Sequence, residues 1–339
     1  MNLKKVSIGI PTFNRKKLVR KAIFSSLSQT YTNLEVIVSD DCSNDSIINE
    51  LLTIKDSRLK VFQQHKNLGM VGNWNFCLNQ AEGYYFVLLG DDDFLSPNFI
   101  EETVNFYNSN PELAFVHTKT NSYQIDEGLE SDILLGTFPS SPPIIEGSDL
   151  ILQKFLGYSS VSFCSILFKR ESLLGLGGFP SEYPYAADIA VWMRLAYKGK
   201  VGYIDKPLSN FRNHSSNLTV TLSIEKKSFD NYRIAQLAIE EACKARMDKY
   251  YIKKITKIGR IRTSRATVNR LLSYSVSGVP KIEIINLIFS LKKCLKGDFF
   301  YVFPRIIISA FVSPSLYLFM RNSFKKGIYR FFPKAKNLP

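Results

Sequence analysis

Short apolar runs alternate with helical periodicities over the first 120 residues. Val6-Ser-Ile-Gly-Ile10 reads as a buried strand, and Leu18, Ala22, Ile23 and Leu27 then recur at helical spacing. Leu34-Glu-Val-Ile-Val-Ser39 is a second strand, with turn residues Asp40 to Asp45 behind it. Leu59-Lys-Val-Phe62 is a short third strand, and the spacing predicts a helix over 70–81. Tyr84–Leu89, bounded by Gly83 and Gly90, is the fourth strand. A helix follows Pro97, which suits a first-turn position, and Leu113–Thr118 is a fifth strand. Strands separated by helices predict an α/β fold with a mostly parallel sheet flanked by helices. Ligands of such sheets bind at the carboxyl ends of the strands. The residues after strands one, two and four are therefore the first candidates for chemistry.

Further along, residues 126–145 are rich in Gly, Ser, Pro and acid and read as a long excursion. The pattern then predicts a helix near 148–156, a strand near Ser162–Phe168, a helix over Asp188–Tyr197 and a short strand at Val201–Ile204. From about 222, long helical stretches rich in Lys and Arg run to about 296. Residues 299–320 form an apolar block broken by Arg305, Pro304 and Pro314 and flanked by basic residues. Its prolines disfavour a clean membrane span, and its aromatic and basic residues fit an interfacial segment on an anionic leaflet. A pair of docking helices is the competing reading.

The chain has 339 residues, 45% hydrophobic and 22% charged, which excludes disordered and collagen-like classes. Its net charge of +14 is unevenly spread. Residues 1–223 carry 20 Lys and Arg against 23 Asp and Glu, while residues 224–339 carry 24 against 7. The basic third therefore predicts an anionic partner: a membrane surface, a nucleic acid or an acidic protein. The five cysteines include no CxxC pair, which argues against a zinc site or disulfide framework and fits a reducing cytoplasm. The amino terminus runs straight into a strand pattern, so no signal peptide is expected.

Asp40 and Asp41 follow the second strand, where a carboxylate can accept bonds from a nucleobase N–H or ribose hydroxyls. An Asx turn or helix cap is the plainer explanation. Asp91, Asp92 and Asp93 follow the fourth strand with no basic residue adjacent in sequence. Three neighbouring carboxylates are tolerable when a divalent cation neutralises them, and oxygen ligands point to Mg²⁺ or Mn²⁺ shared with substrate phosphates.

The run Val6-Ser-Ile-Gly-Ile-Pro-Thr-Phe-Asn-Arg15, then Ser28-Gln-Thr-Tyr31, then Glu35–Ser43, resembles the opening of family 2 glycosyltransferases. Asn67-Leu-Gly69, Asn75, Ala81-Glu-Gly83 and Leu89–Pro97 continue the resemblance in order, and it extends over about residues 4–215. It implies a GT-A (Rossmann-like) fold, a nucleotide-sugar donor and inversion at the anomeric carbon. By resemblance Pro11, Thr12, Asn14 and Arg15 line the nucleotide pocket, Asp41 reads the base with Asp40 beside it, and Asn67 and Asn75 shape the donor pocket. Asp91 and Asp93 match the metal motif, with Asp93 the first choice as ligand and Asp92 at the diphosphate. Gly90 stands where many members carry a carboxylate. Gly177–Asp188 followed by Trp192-Met-Arg194 resembles the acceptor-side segment, with Ala187 replacing the usual Glu, and makes Asp188 the catalytic base. An inverting transfer needs such a carboxylate to take the acceptor hydroxyl's proton. Arg212 and His214 resemble the closing Arg-x-His segment and meet the diphosphate or the metal.

The expectation is thus a GT-A catalytic domain over 1–221, with donor binding in 1–120 and the acceptor side in 121–221. A basic helical region, possibly touching membrane, follows over 222–339. A metal-dependent glycosyltransferase (Mn²⁺ or Mg²⁺) would move sugar from a UDP-sugar to a saccharide or lipid-linked acceptor in surface polysaccharide assembly. Its expected place is the cytoplasm, peripheral on the inner face of the cell membrane, with no nucleic-acid partner. A Rossmann oxidoreductase is disfavoured because Gly9 stands alone after the first strand, without GxGxxG. A non-enzymatic nucleic-acid or anionic-membrane binder is the remaining alternative, motivated by the basic third.

Overall fold

The computed structural model describes residues 3–44, 47–125, 132–217 and 224–276. The chain divides into two compact units, Met1–Thr221 with Leu237–Ile255, and Leu222–Gln236 with Thr256–Pro339.

The first unit is built on one ten-stranded sheet. Strand β1 (Val6–Thr12) lies between β2 (Leu34–Asp40) and β4 (Tyr85–Leu88), and β3 (Leu59–Gln63) flanks β2, all in parallel. Every residue of β1, β2 and β4 is buried, which is why these strands read as apolar runs instead of alternations. Across β4 comes β9 (Ile166–Lys169), antiparallel to β4 and to β6 (Phe115–Gln124). β10 (Lys200–Asn213) pairs parallel with β6, and the two-residue β5 (Phe94–Leu95) closes the order β3-β2-β1-β4-β9-β6-β10-β5. Two reversals at β9 cancel, so β6 and β10 run the same way as β1, β2 and β4. The mostly parallel sheet expected from the pattern is what forms. All its long strands deliver their carboxyl ends to one edge.

Pro11 is accommodated because of where the ladders stop. The N–H of Val6 points to β2, donating to Asn33 O, so odd-numbered residues of β1 point to β4. The β4 ladder ends at Gly9 opposite Leu88, and the N–H that Pro11 lacks would face no strand.

Helices cover both faces. α1 (Lys16–Leu27), α2 (Ile47–Leu51) and α4 (Phe99–Ser109) bury Val19, Ile23, Ile47, Phe99 and Ile100 in one cluster with Ile8, Ile10, Val36, Val38 and Val87. α3 (Met70–Gln80) takes the opposite face, so close that a Cβ on Gly9 would lie 2.8 Å from the Cys77 Cβ. α5 (Gly147–Leu156), α6 (Arg170–Leu174) and α7 (Ala187–Ala196) complete this part of the unit. The amino end of α5 meets the carboxyl end of α7 at Gly147, where a Cβ would stand 1.9 Å from the Ala196 carbonyl oxygen. Only a residue without a side chain fits there.

Several elements differ from the periodicity. β6 and β10 run to Gln124 and Asn213, well past the expected ends, because polar residues of one are registered on the other from Lys119 opposite Pro207 to Gln124 opposite Asn213. The excursion at 126–145 contains β7 (Ile133–Thr137), antiparallel to β6, and β8 (Ile144–Glu146), antiparallel to β10. The strand near 162–168 is a 3₁₀ turn over Phe163–Ser165 followed by β9.

α8 (Ile224–Lys244) begins in the second unit and ends in the first, and α9 (Lys249–Val276) follows. Inside the first unit Tyr197 Oη donates to Ala238 O at 2.8 Å and Tyr251 Oη to Ser148 O at 2.9 Å. Inside the second unit α8 and α9 cross closely, with a Cβ on Gly259 lying 3.3 Å from the Ala235 Cβ. Among the described residues no helix is long and apolar enough to cross a membrane. The apolar block at 299–320 lies outside the described residues.

Candidate active site

Thr12 ends β1 and ties together the two acidic segments. Its carbonyl oxygen accepts the Asp41 N–H at 2.9 Å, and its Oγ1 donates to Asp91 Oδ2 at 2.8 Å. Asp40 and Asp41 come from the end of β2 and Asp91 to Asp93 from the end of β4, the two neighbours of β1. The parallel register therefore puts groups fifty residues apart within reach of one threonine.

On the β4 side each aspartate has its own surroundings. Asp92 accepts hydrogen bonds from Arg15 Nη1 and from Asn217 Nδ2 at 3.2 Å, and His214 Nε2 lies 3.1 Å from its Oδ2. Asp91 faces Thr12 and, at 3.5 Å, Arg15 Nη1. Asp93 accepts the Arg212 N–H at 3.0 Å and the Cys164 thiol, and is only 1% exposed. Burial, reinforced by the charge of Asp92, pushes Asp91 up to about 7 and Asp93 well above the usual carboxylate range. Burial pushes Asp92 up as well, but the His214 bond and the Arg15 charge outweigh it and hold Asp92 below its ordinary value. Arg15 is thus the local counter-charge, with Nη2 donating to Ser216 O at 3.0 Å.

On the β2 side Asp41 accepts the Leu68 N–H at 2.6 Å, and Asn67 Nδ2 donates to the Asp41 carbonyl at 3.2 Å. Burial raises the Asp41 carboxyl, against the pull of the Leu68 and Gly69 amides. Asp40 takes the local role: it accepts the Ser43 N–H at 3.1 Å and the Ser43 hydroxyl, an Asx-type turn. Asn14, in the left-handed region at φ 54°, closes the loop with its N–H on Ser43 Oγ and its Oδ1 on the Asn44 N–H. Pro11, Thr12, Asn14, Arg15, Asp40, Asp41 and Asn67 thus share this edge with Asp91, Asp92, Asp93, Arg212 and His214.

Two expected residues stand apart from that bonded set. Asp188 lies in the first turn of α7, half-buried, and burial raises its carboxyl against the opposing charge of Lys154. Asn75, expected at the donor pocket, has its amide on the Phe179 backbone, accepting the N–H and donating to the carbonyl, each at 2.8 Å. Arg212 keeps Nε 3.4 Å from Asp132 Oδ2, while its buried Nη1 has no hydrogen-bond partner among the described residues.

No three His, Cys, Asp or Glu side chains form a preformed metal cage among the described residues. The donor chemistry nonetheless fits Mn²⁺ or Mg²⁺. Carboxylate and imidazole meet at Asp92 and His214 beside a second buried carboxylate. Such a cation takes few protein ligands and leaves positions for phosphate oxygens. A Cβ on Gly90 would stand 2.8 Å from Asp92 Oδ1, so any side chain there would crowd Asp92.

The sequence reading did not single out Asn217. It donates to Asp92 and to the Arg212 carbonyl and accepts the His214 N–H, locking the turn that presents His214. Its bonds reach back three and five residues and across to Asp92, so the forward spacing of an Asx turn does not mark it in the sequence. Cys164 and Asp132 were also passed over, and no local pattern marks either.

A nucleotide-type α/β fold with acidic loops at the carboxyl ends of neighbouring strands is the architecture of GT-A glycosyltransferases. Residues 7–175 match the family described as Glycosyl transferase family 2. The chain is 32% identical to a GalNAc(5)-diNAcBac-PP-undecaprenol beta-1,3-glucosyltransferase of Campylobacter jejuni, over 67% of this chain and 71% of that protein. It is 29% identical to the Escherichia coli UDP-Glc:alpha-D-GlcNAc-diphosphoundecaprenol beta-1,3-glucosyltransferase WfaP, over 57% and 71%. Staphylococcus aureus TarS (residues 1–349), solved with UDP-GlcNAc, shares the fold at a TM-score of 0.64 and 18% identity, covering 90% of this chain and 89% of that one. The chain belongs to glycosyltransferase family 2.

Proposed function

We propose that this glycosyltransferase transfers a sugar, with inversion, from a UDP-sugar to a hydroxyl of a lipid-linked saccharide in surface polysaccharide assembly. The observation that carries the reading is the pair of hydrogen bonds joining Thr12 to Asp41 and to Asp91, which supports a single edge for the carboxylates proposed to receive the nucleoside and the diphosphate. Two relatives bear names with diphosphoundecaprenol-type or PP-undecaprenol acceptors, and one of them names UDP-Glc as donor, which supports the choice of substrates.

Asp41 receives the nucleoside, with Pro11, Asn14 and Asn67 shaping the loop around it. Asp188 takes the proton of the acceptor hydroxyl as its oxygen attacks the anomeric carbon; its raised proton affinity, due to burial, suits that role. The anomeric carbon–oxygen bond to the diphosphate breaks in the same displacement, and UDP leaves. Arg15 and Arg212 offer positive charge to the phosphates. Asp92 and His214, with Asp91 beside them, would hold Mn²⁺ or Mg²⁺. We prefer Asp92 to Asp93 because the Asp93 carboxylate is turned to the Arg212 amide and Cys164. When bound, the cation supplies charge to stabilise the leaving diphosphate.

Residues 249–276 carry eight Lys and Arg and no Asp or Glu, which supports peripheral contact with the anionic inner face of the membrane. A non-enzymatic reading rests on that charge alone.

The test is UDP release from UDP-glucose and GlcNAc-diphosphoundecaprenol, with and without EDTA, by wild type and Asp188→Asn. Wild type should turn over and lose activity with EDTA. Asp188→Asn should lose about 10²–10⁴-fold in kcat with UDP affinity unchanged. Full turnover by folded Asp188→Asn would remove that residue from the mechanism.

A further inference from the structure

We infer that Asn75 is a positioning residue for the acceptor side of the reaction, holding the loop that leads to Asp188 and contributing nothing directly to the donor pocket. The inference rests on the function proposed above.

Helix α3 is gripped at three points. Just before its amino end the Leu68 amide holds Asp41. Next, Asn73 is spent on the end of β2: its Oδ1 accepts the Ser39 hydroxyl at 2.6 Å and its Nδ2 donates to Ser39 O at 2.9 Å. Asn75, two residues on, points to a different side of the helix. There its amide closes a two-bond bridge with the backbone of Phe179. Trp74 packs on the Phe179 ring at 5.4 Å and on Phe163 at 4.9 Å.

The loop is built to receive that bridge. Gly177 and Gly178 stand at φ 80° and 81°, a region costly for other residues. A Cβ on Gly178 would also lie 2.4 Å from Asn75 Oδ1. Beyond Phe179 the chain folds into successive tight turns, Tyr183 N–H to Pro180 O and Ala186 N–H to Tyr183 O, and enters α7 at Ala187. Glu182 is tied to Arg194 at 3.4 Å. A chain so tightly turned has little slack, so the place of Phe179 governs where the first turn of α7 holds Asp188. α3 is thereby a strut from the Asp41 loop to the Asp188 loop.

The test compares wild type, Asn75→Ala, Gly178→Ala and the double variant. Gly178→Ala attacks the bridge from the loop with the sequence of α3 unchanged, so it decides the matter if Asn75→Ala fails to fold. Three readouts are taken: hydrogen exchange over 177–188, UDP affinity by calorimetry, and transfer from UDP-glucose to GlcNAc-diphosphoundecaprenol. Each single variant should exchange at least tenfold faster over 177–188 and keep UDP affinity within twofold. Each should also lose at least tenfold in kcat or in acceptor KM. The double variant should be no worse than the worse single, since both remove one bridge. Unchanged exchange, or weakened UDP binding with acceptor KM intact, would overturn the inference, the latter returning Asn75 to the donor pocket. If wild type transfers no sugar, the proposed substrates fail, while exchange and UDP affinity still decide the bridge.

Discussion

Glu35 offers a quantitative test of the scaffold beneath the site. It lies in β2 at the end of the sheet away from the acidic loops and is 2% exposed. Its Oε1 accepts the Ser7 hydroxyl at 2.6 Å and the Glu82 N–H at 2.8 Å; its Oε2 meets Lys5 at 3.0 Å and Lys60 at 2.8 Å. Burial alone would raise its proton affinity, but the bonds from Lys60, Ser7, Glu82 and Lys5 win and hold the carboxyl down at about 2, against an ordinary 4.5. That difference corresponds to at most about 3.4 kcal/mol. The two lysines are about one-third exposed and water screens them, so about 2 kcal/mol is the working figure. A depressed folded value means the stabilisation is fully present above 4.5 and is lost as pH falls through about 2. Glu35→Gln keeps the shape and the Oε1 acceptor but sets an amide against two ammonium groups. It should cost about 2 kcal/mol at pH 7, and the gap to wild type should fall to less than half of that by pH 3. Urea unfolding followed by Trp74 and Trp192 fluorescence at pH 7, 5, 4 and 3 measures this. A gap of constant size across that range would refute the electrostatic account, as would no gap at any pH.

Two further outcomes are expected. Arg15 Nη1 bonds Asp92 and lies 3.5 Å from both Asp91 Oδ1 and His214 Nε2, where the proposed cation would compete with it. Arg15→Ala should therefore tighten Mn²⁺ binding several-fold without nucleotide, read from free-Mn²⁺ resonance, and weaken UDP binding; looser Mn²⁺ binding would refute the competition. Gly147→Ala should lower the melting temperature, at a cost of about 1–3 kcal/mol or more, because the new methyl meets the Ala196 backbone and not a movable side chain. An unchanged melting temperature would mean that α5 can shift freely on α7.

The alternation of buried strands and amphipathic helices is readable along the chain because β1, β2 and β4 are covered on both faces and keep no polar phase. The carboxyl-edge placement of Asp41 and Asp91–Asp93 follows from that pattern, since a parallel sheet sends every such turn to one side. Local composition could not show that Lys119–Gln124 and Ser209–Asn213 are strand, because their polar side chains carry no periodic signal and their ladder joins residues about 90 apart. Nor could it tell three consecutive aspartates from one another. Their neighbours Thr12, Arg15, Arg212 and His214 lie 77 to 122 residues away, and it is those partners that turn Asp91 to a hydroxyl, Asp92 to an imidazole and a guanidinium, and Asp93 to a buried amide. Asn75 is the same case: family resemblance alone suggests a pocket residue, and only the fold brings Phe179, 104 residues on, to its amide. Residue type and period travel with the chain; direction and partnership arise when distant segments close on one another.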